Sequence, residues 1–207
     1  MKKHFFTLFF ICLAFFAKAQ NEAFLQFSQG FSWFNYSDSE NIDDDLIESE
    51  VNSGFGTGYI VNLSKISIRS EVNFSNFGAK SSYNNEILQW NLHYLHLNTN
   101  VGYTLKLPVF QPYVYGGFYV GYLYKANQTM GVQYVNLKKS GDIKPMDFGV
   151  NLIYGVNGQF AETIGVFFEM RNTIGLAQIE SDSAQKLNNR AFSMHVGIKM
   201  TLNKKEK

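Results

Sequence analysis

The chain has 207 residues, of which 16% are aromatic and only 17% charged, with a formal net charge of +1. Globular chains average about 25% charged residues, so this balance excludes a disordered chain. A near-zero charge without a basic stripe also argues against a nucleic-acid binder, and the length fits one domain.

Residues 1–20 read MKKHFFTLFFICLAFFAKAQ. Lys2 and Lys3 form a positive start, residues 5–17 an apolar run, and Ala17-Lys18-Ala19 a small-residue cleavage site. This is the three-part pattern of a secretory signal peptide. The apolar run is too short to cross roughly 30 Å of hydrocarbon as a helix, and Cys12 sits too early for a lipoprotein signal. The expected division is a cleaved signal peptide over 1–19 and one domain over 20–207. Cleavage removes three of the 18 basic residues and the only cysteine, which leaves the mature chain slightly acidic and without thiol chemistry.

From there the pattern has period two, the signature of strands with one apolar face. Leu25, Phe27, Phe31 and Trp33 alternate with polar or small residues. Tyr59, Val61 and Leu63 do the same, then Ile66, Ile68, Val72 and Phe74. Residues 87–105 break phase: Leu88, Trp90, Leu92 and Tyr94 share one parity, and Leu95, Leu97, Val101, Tyr103 and Leu105 the other. A one-residue slip turns every later side chain to the opposite face. A β-bulge near Tyr94-Leu95 would keep both sets on one side; a strand with mixed faces is the other reading. Residues 107–124 are uncharged and long enough for a helix, but contain Pro108, Pro112 and Gly116, Gly117 and Gly121 among strand-forming Tyr, Phe and Val. Three further alternating segments centre on Val150, Phe168 and Val196.

The expected fold is all-β: an eight-stranded antiparallel up-and-down transmembrane β-barrel. Its short turns (64–65, 106–108, 157–161) would face the periplasm, and its longer loops (37–53, 78–86, 125–144, 178–189) the exterior. A soluble lipocalin-like barrel with its apolar set inside is the structural alternative. Charge placement favours the membrane: Arg69, Glu71, Asp147, Glu169, Arg171 and Lys199 all lie on the polar parity. A basic side chain facing lipid near the midplane costs about 2–4 kcal/mol. Three positive and three negative groups in a narrow lumen are expected to form a structural polar network. A conduction path is the functional alternative, but eight strands leave room for little besides side chains.

Several segments carry a resemblance: GFGTGYIVNL (54–63) with ISIRSEVNFSNFGAK (66–80), YLHLNTNVGY (94–103) with QPYVYGGFYVGYL (111–123), MDFGVNLIYG (146–155), FEMRNTIG (168–175) and RAFSMHVGIK (190–199). Their order and spacing resemble the small outer-membrane β-barrel family labelled PorT-like. The chain departs from it at Asn98, where proline is common, and at its tail, LNKKEK, where members often stop at an aromatic. His195, Gly197, Met200 and Leu202 resemble the C-terminal signal read by the barrel-insertion machinery. The resemblance implies an outer-membrane protein, with membrane lipids and that machinery as partners, and a role in secretion or gliding as one possibility.

Two candidate sites stand apart. Asp38, Glu40, Asp43, Asp44, Asp45, Glu48 and Glu50 crowd the first long loop, but calcium needs six to eight converging oxygens, so a solvated acidic loop is expected. Ser193 and His195 share one strand face, with His93 and His96 elsewhere. A hydrolase needs a carboxylate-oriented His beside the Ser, and that face is expected to look into the lumen. The expectation is therefore no enzyme, no metal and no cofactor, with loops available to protein partners.

Overall fold

The computed structural model describes residues 20–37, 47–83, 86–181 and 186–202. The expected cleavage signal and most of the acidic loop lie outside them. The eight-stranded barrel is present, formed by β1 (Gln20–Ser37), β2 (Ile47–Leu63), β3 (Ile66–Tyr83), β4 (Glu86–Thr104), β5 (Phe110–Met130), β7 (Met146–Gln159), β8 (Ile164–Gly175) and β9 (Lys186–Thr201). A short β6 (Gln133–Val135) pairs only with β5. Each barrel strand is antiparallel to its neighbours, and β1 pairs with both β2 and β9, which closes the ring. Closure satisfies the backbone groups that lipid cannot.

Parity decides what faces where. Leu25, Phe27, Phe55, Leu97, Phe118, Phe148, Val196 and Ile198 point outward and are exposed. Their neighbours Phe24, Gln26, Asn98, Tyr119, Asp147, His195 and Gly197 point inward. In a soluble lipocalin-like barrel these faces would be exchanged.

The phase break in 87–105 reflects a strand with mixed faces, the alternative to a bulge at Tyr94-Leu95. β4 keeps one parity throughout: Leu92, Tyr94, His96, Asn98 and Asn100 are all buried. The bulge lies on the facing strand. His93 pairs with Lys125 and Tyr94 with Leu123, so Tyr124 is the extra residue. Consequently Leu123 and Ala126 both point inward while Tyr124 and Lys125 both point out. The two apolar sets of β4 thus serve opposite faces, one the lumen and one the lipid. The segment 78–86 is also no long loop, because β3 and β4 continue pairing to Tyr83 and Glu86.

The largest cluster of inward apolar residues lies at the extracellular end. Phe34, Phe77, Leu92, Tyr94, Leu123 and Leu187 pack there with Leu137, Ile143 and Ile179 from the external connections. A single-turn helix, α1 (Leu137–Ser140), delivers Leu137. The two connections lock together through an Ile143–Glu180 bridge and Lys144 N donating to Ile179 O. The external mouth is closed by this apolar plug. At the periplasmic end the lumen instead opens into a cavity of about 220 Å³ lined by Glu22, Lys106, Gln111, Tyr115 and Lys199.

The parity of β4 predicts opposite responses to truncation. Leu92→Ala, inside the plug, should destabilise by about 2–5 kcal/mol. Leu97→Ala, whose contacts are with lipid, should cost much less. Urea unfolding followed by gel mobility measures both, and the reverse ranking would place Leu92 on the membrane face.

Candidate functional site

The lumen holds nearly all the buried polar chemistry of the described residues. At its centre, β3 contributes Arg69 and Glu71, and β8, diametrically opposite in the ring, contributes Glu169 and Arg171. The alternating register points both members of each pair inward. Arg69 meets Glu71 at 2.8 Å and Glu169 at 2.5 Å; Arg171 meets Glu71 at 2.5 Å and Glu169 at 3.0 Å. Each guanidinium therefore touches both carboxylates, and the four charges form a closed, neutral, alternating ring across the lumen. All four residues are buried.

Neutral groups complete it. Gln26 accepts from Arg69 Nη2 at 2.8 Å and donates to Asn73 Oδ1 at 2.7 Å. Asn73 donates to Glu71 Oε1 at 3.1 Å, and the Tyr113 hydroxyl donates to Glu169 Oε2 at 2.8 Å. Two rings flank the Arg69 guanidinium, with its carbon 4.3 Å from the Phe24 centroid and 5.5 Å from that of Phe167. Desolvated contacts of this kind contribute about 2 kcal/mol. The rings lie close to the wall because Gly58 and Gly197 stand behind them. A Cβ at Gly58 would sit 2.4 Å from Phe24 Cζ, and one at Gly197 2.2 Å from Phe167 Cζ.

The six charges singled out from sequence occupy three places. Arg69, Glu71, Glu169 and Arg171 form the ring. Asp147 lies nearer the exterior, where it accepts from Tyr119 Oη at 3.0 Å and Asn189 Nδ2 at 2.8 Å. Lys199 is at the periplasmic end, donating to Glu22 at 3.1 Å. Glu22, Gln26 and Tyr113 were missed as partners. Glu22 shares the inward parity of Gln26, which is the signal that could have found it.

Ser193 Oγ and His195 Nε2 lie 2.8 Å apart, and His195 Nδ1 is 4.0 Å from Glu169 Oε1. The residue types are those of a hydrolytic triad. Glu169, however, is held by both arginines, and both Ser193 and His195 are buried inside the lumen. Among the described residues no group of His, Cys, Asp and Glu has the arrangement of a metal site.

An outward apolar belt, a polar charged lumen and closure by eight antiparallel strands define an outer-membrane β-barrel. A family model described as Outer membrane protein beta-barrel domain matches residues 18–181, and the chain belongs to that family. Its fold is similar to the crystal structure of OprG from Pseudomonas aeruginosa, with a TM-score of 0.56 and 10% identity over 90% of this chain and 98% of that one. It is also similar to Neisserial surface protein A, with a TM-score of 0.52 and 10% identity over 87% of this chain and 97% of that one. At such identities the likeness shows the fold alone. No curated protein matches the sequence. The protein is therefore located in the outer membrane.

The ring makes an unequal prediction for single and paired changes. Glu169→Ala leaves two guanidinium groups facing one carboxylate and should cost about 3–5 kcal/mol. Combining Glu169→Leu with Arg171→Met keeps the Arg69–Glu71 pair balanced and should cost less. Equilibrium unfolding in detergent or lipid vesicles compares them.

Proposed function

We infer that this protein is a non-conducting, non-enzymatic integral barrel that acts through its external surface, as an architectural element of the outer membrane or by presenting its loops to protein partners. The observation that carries this reading is the double closure of the lumen: an apolar plug at the external mouth and the Arg69–Glu71–Glu169–Arg171 ring beneath it. A solute crossing the barrel would have to displace both. Eight strands enclose an interior that side chains fill, whereas aqueous channels need about 16. The connections at the external end remain available, and Val132, Tyr134 and Val135 of the β5–β6 hairpin are exposed there.

The seclusion of Ser193 and His195 supports the absence of hydrolysis. They border a space of about 40 Å³, far too small for a lipid ester. The narrower PorT-like resemblance, with a role in a secretion or gliding apparatus, is supported by the order of the quoted sequence segments. Deleting the gene and comparing secreted proteins and lipid composition separates these roles. Changed secretion favours the apparatus, changed lipid acylation favours an enzyme, and neither favours architecture or loop display.

Planar-bilayer recording tests the closed lumen. The purified barrel should show no stable open state, and steps of nanosiemens size would replace this reading with a pore.

A further inference from the structure

Beside the charged ring, towards the exterior, the lumen contains a second cavity of about 40 Å³. Five buried nitrogens on the residues that line it have no hydrogen-bond partner among the described residues: Asn52 Nδ2, His96 Nε2, Asn98 Nδ2, Arg171 Nε and His195 Nδ1. Each of these residues is more than nine-tenths buried. Other buried, unpartnered oxygens occur in the protein, but none belongs to a residue lining this space. Among the described residues no aspartate or glutamate lines it; one carboxylate oxygen, Glu169 Oε1, is 4.0 Å from His195 Nδ1 and is held by Arg171.

The surrounding hydrogen bonds are consistent with these nitrogens acting as donors. Asn98 Oδ1 accepts from Asn151 Nδ2 at 2.8 Å, which leaves the Asn98 amide NH2 free. Ser75 Oγ lies 2.9 Å from His96 Nδ1, and Ser193 Oγ lies 2.8 Å from His195 Nε2. With each hydroxyl donating to its ring, the opposite ring nitrogen carries the proton. Arg171 uses its two terminal nitrogens on Glu71 and Glu169, so its Nε–H is left over. An unmet buried donor costs about 1–3 kcal/mol, and such groups in a native protein call for a water or an ion.

We propose that this cavity is a binding site for a small monovalent anion such as chloride or bromide. A halide accepts several hydrogen bonds and donates none, matching the N–H groups of Asn52, Asn98 and Arg171 and, in the tautomers with Ser75 and Ser193 donating, those of His96 and His195. Water can also fill the space by donating to the hydroxyl oxygens of Ser28, Ser75 and Ser193, so an ordered water is the outcome that the crystal has to distinguish from a halide. The space of about 40 Å³ exceeds the ~10–15 Å³ that one water-sized particle needs, yet it is too small for a multi-carbon anion such as gluconate. The Arg171 N–H supplies a charge-assisted contact, which offsets part of the cost of burying a charge. The site goes beyond the architectural role: it makes a small ion part of the folded lumen.

The mature chain, refolded from urea into detergent micelles, tests this in sodium bromide against sodium gluconate at equal ionic strength. Unfolding should be several-fold slower in bromide. Crystals grown in bromide should show an anomalous peak in the cavity, within hydrogen-bond reach of Arg171 Nε and Asn98 Nδ2. Equal unfolding rates in the two salts, or ordered water alone in the cavity, would overturn the proposal. Asn98→Asp places a carboxylate where the anion would bind, so the bromide effect should vanish while the barrel still forms; a bromide effect that persists in this variant contradicts the site. If that variant fails to fold, the anomalous map of the unaltered chain still decides.

Discussion

Four charges held inside a membrane barrel constrain everything around them. Arg69 and Arg171 each contact Glu71 and Glu169, in a space too narrow for bulk water. A buried charge left without a partner costs several kcal/mol, so the barrel must close with β3 and β8 facing one another in one register. A one-residue slip of either strand would carry its pair to the lipid face. The ring is therefore better understood as specifying register and closure than as a store of stability, since apolar pairs of similar volume often replace such ions without loss.

The rest of the lumen is layered around this ring. Phe24 and Phe167 cover Arg69 on the periplasmic side, and the glycines behind them make that close approach possible. Towards the exterior come polar amides and imidazoles, then the Tyr119–Asp147–Asn189 cluster, then the apolar plug. The Tyr124 bulge serves the plug directly. By adding one residue to β5, it lets Leu123 and Ala126 both face inward opposite the Leu92 end of β4. The asymmetry of the two mouths follows: one sealed by side chains that avoid water, the other lined by Glu22, Lys199 and amides that tolerate it.

Where lipid and lumen differ in polarity, the sequence was legible. Along β1, β8 and β9 every second residue announces its face, and the charged residues of β3 and β8 fall on a single parity. Legibility failed where both faces are apolar. Leu92 and Tyr94 look like membrane residues because a plug and a bilayer select the same side chains, so alternation alone left a bulge on β4 and a strand with mixed faces equally open; β4 has the mixed faces, and the bulge is on β5. Cross-lumen partners were also hidden: Glu169 lies next but one to Arg171, yet its shorter contact is with Arg69, 100 residues away. Pairing at that separation depends on strand order around the ring, which alternation alone does not encode. The anion cavity was invisible for the same reason, since its residues come from strands on every side.

The most direct test of this account is a double-mutant cycle across the lumen. Arg69→Met, Glu169→Leu and their combination, measured by reversible urea unfolding in lipid vesicles, isolate the coupling between opposite walls. A favourable coupling in the range of about 0.5–3 kcal/mol is the expected result for side chains in one network. Additive effects would contradict the ring, because they would mean that β3 and β8 do not sense one another through these charges.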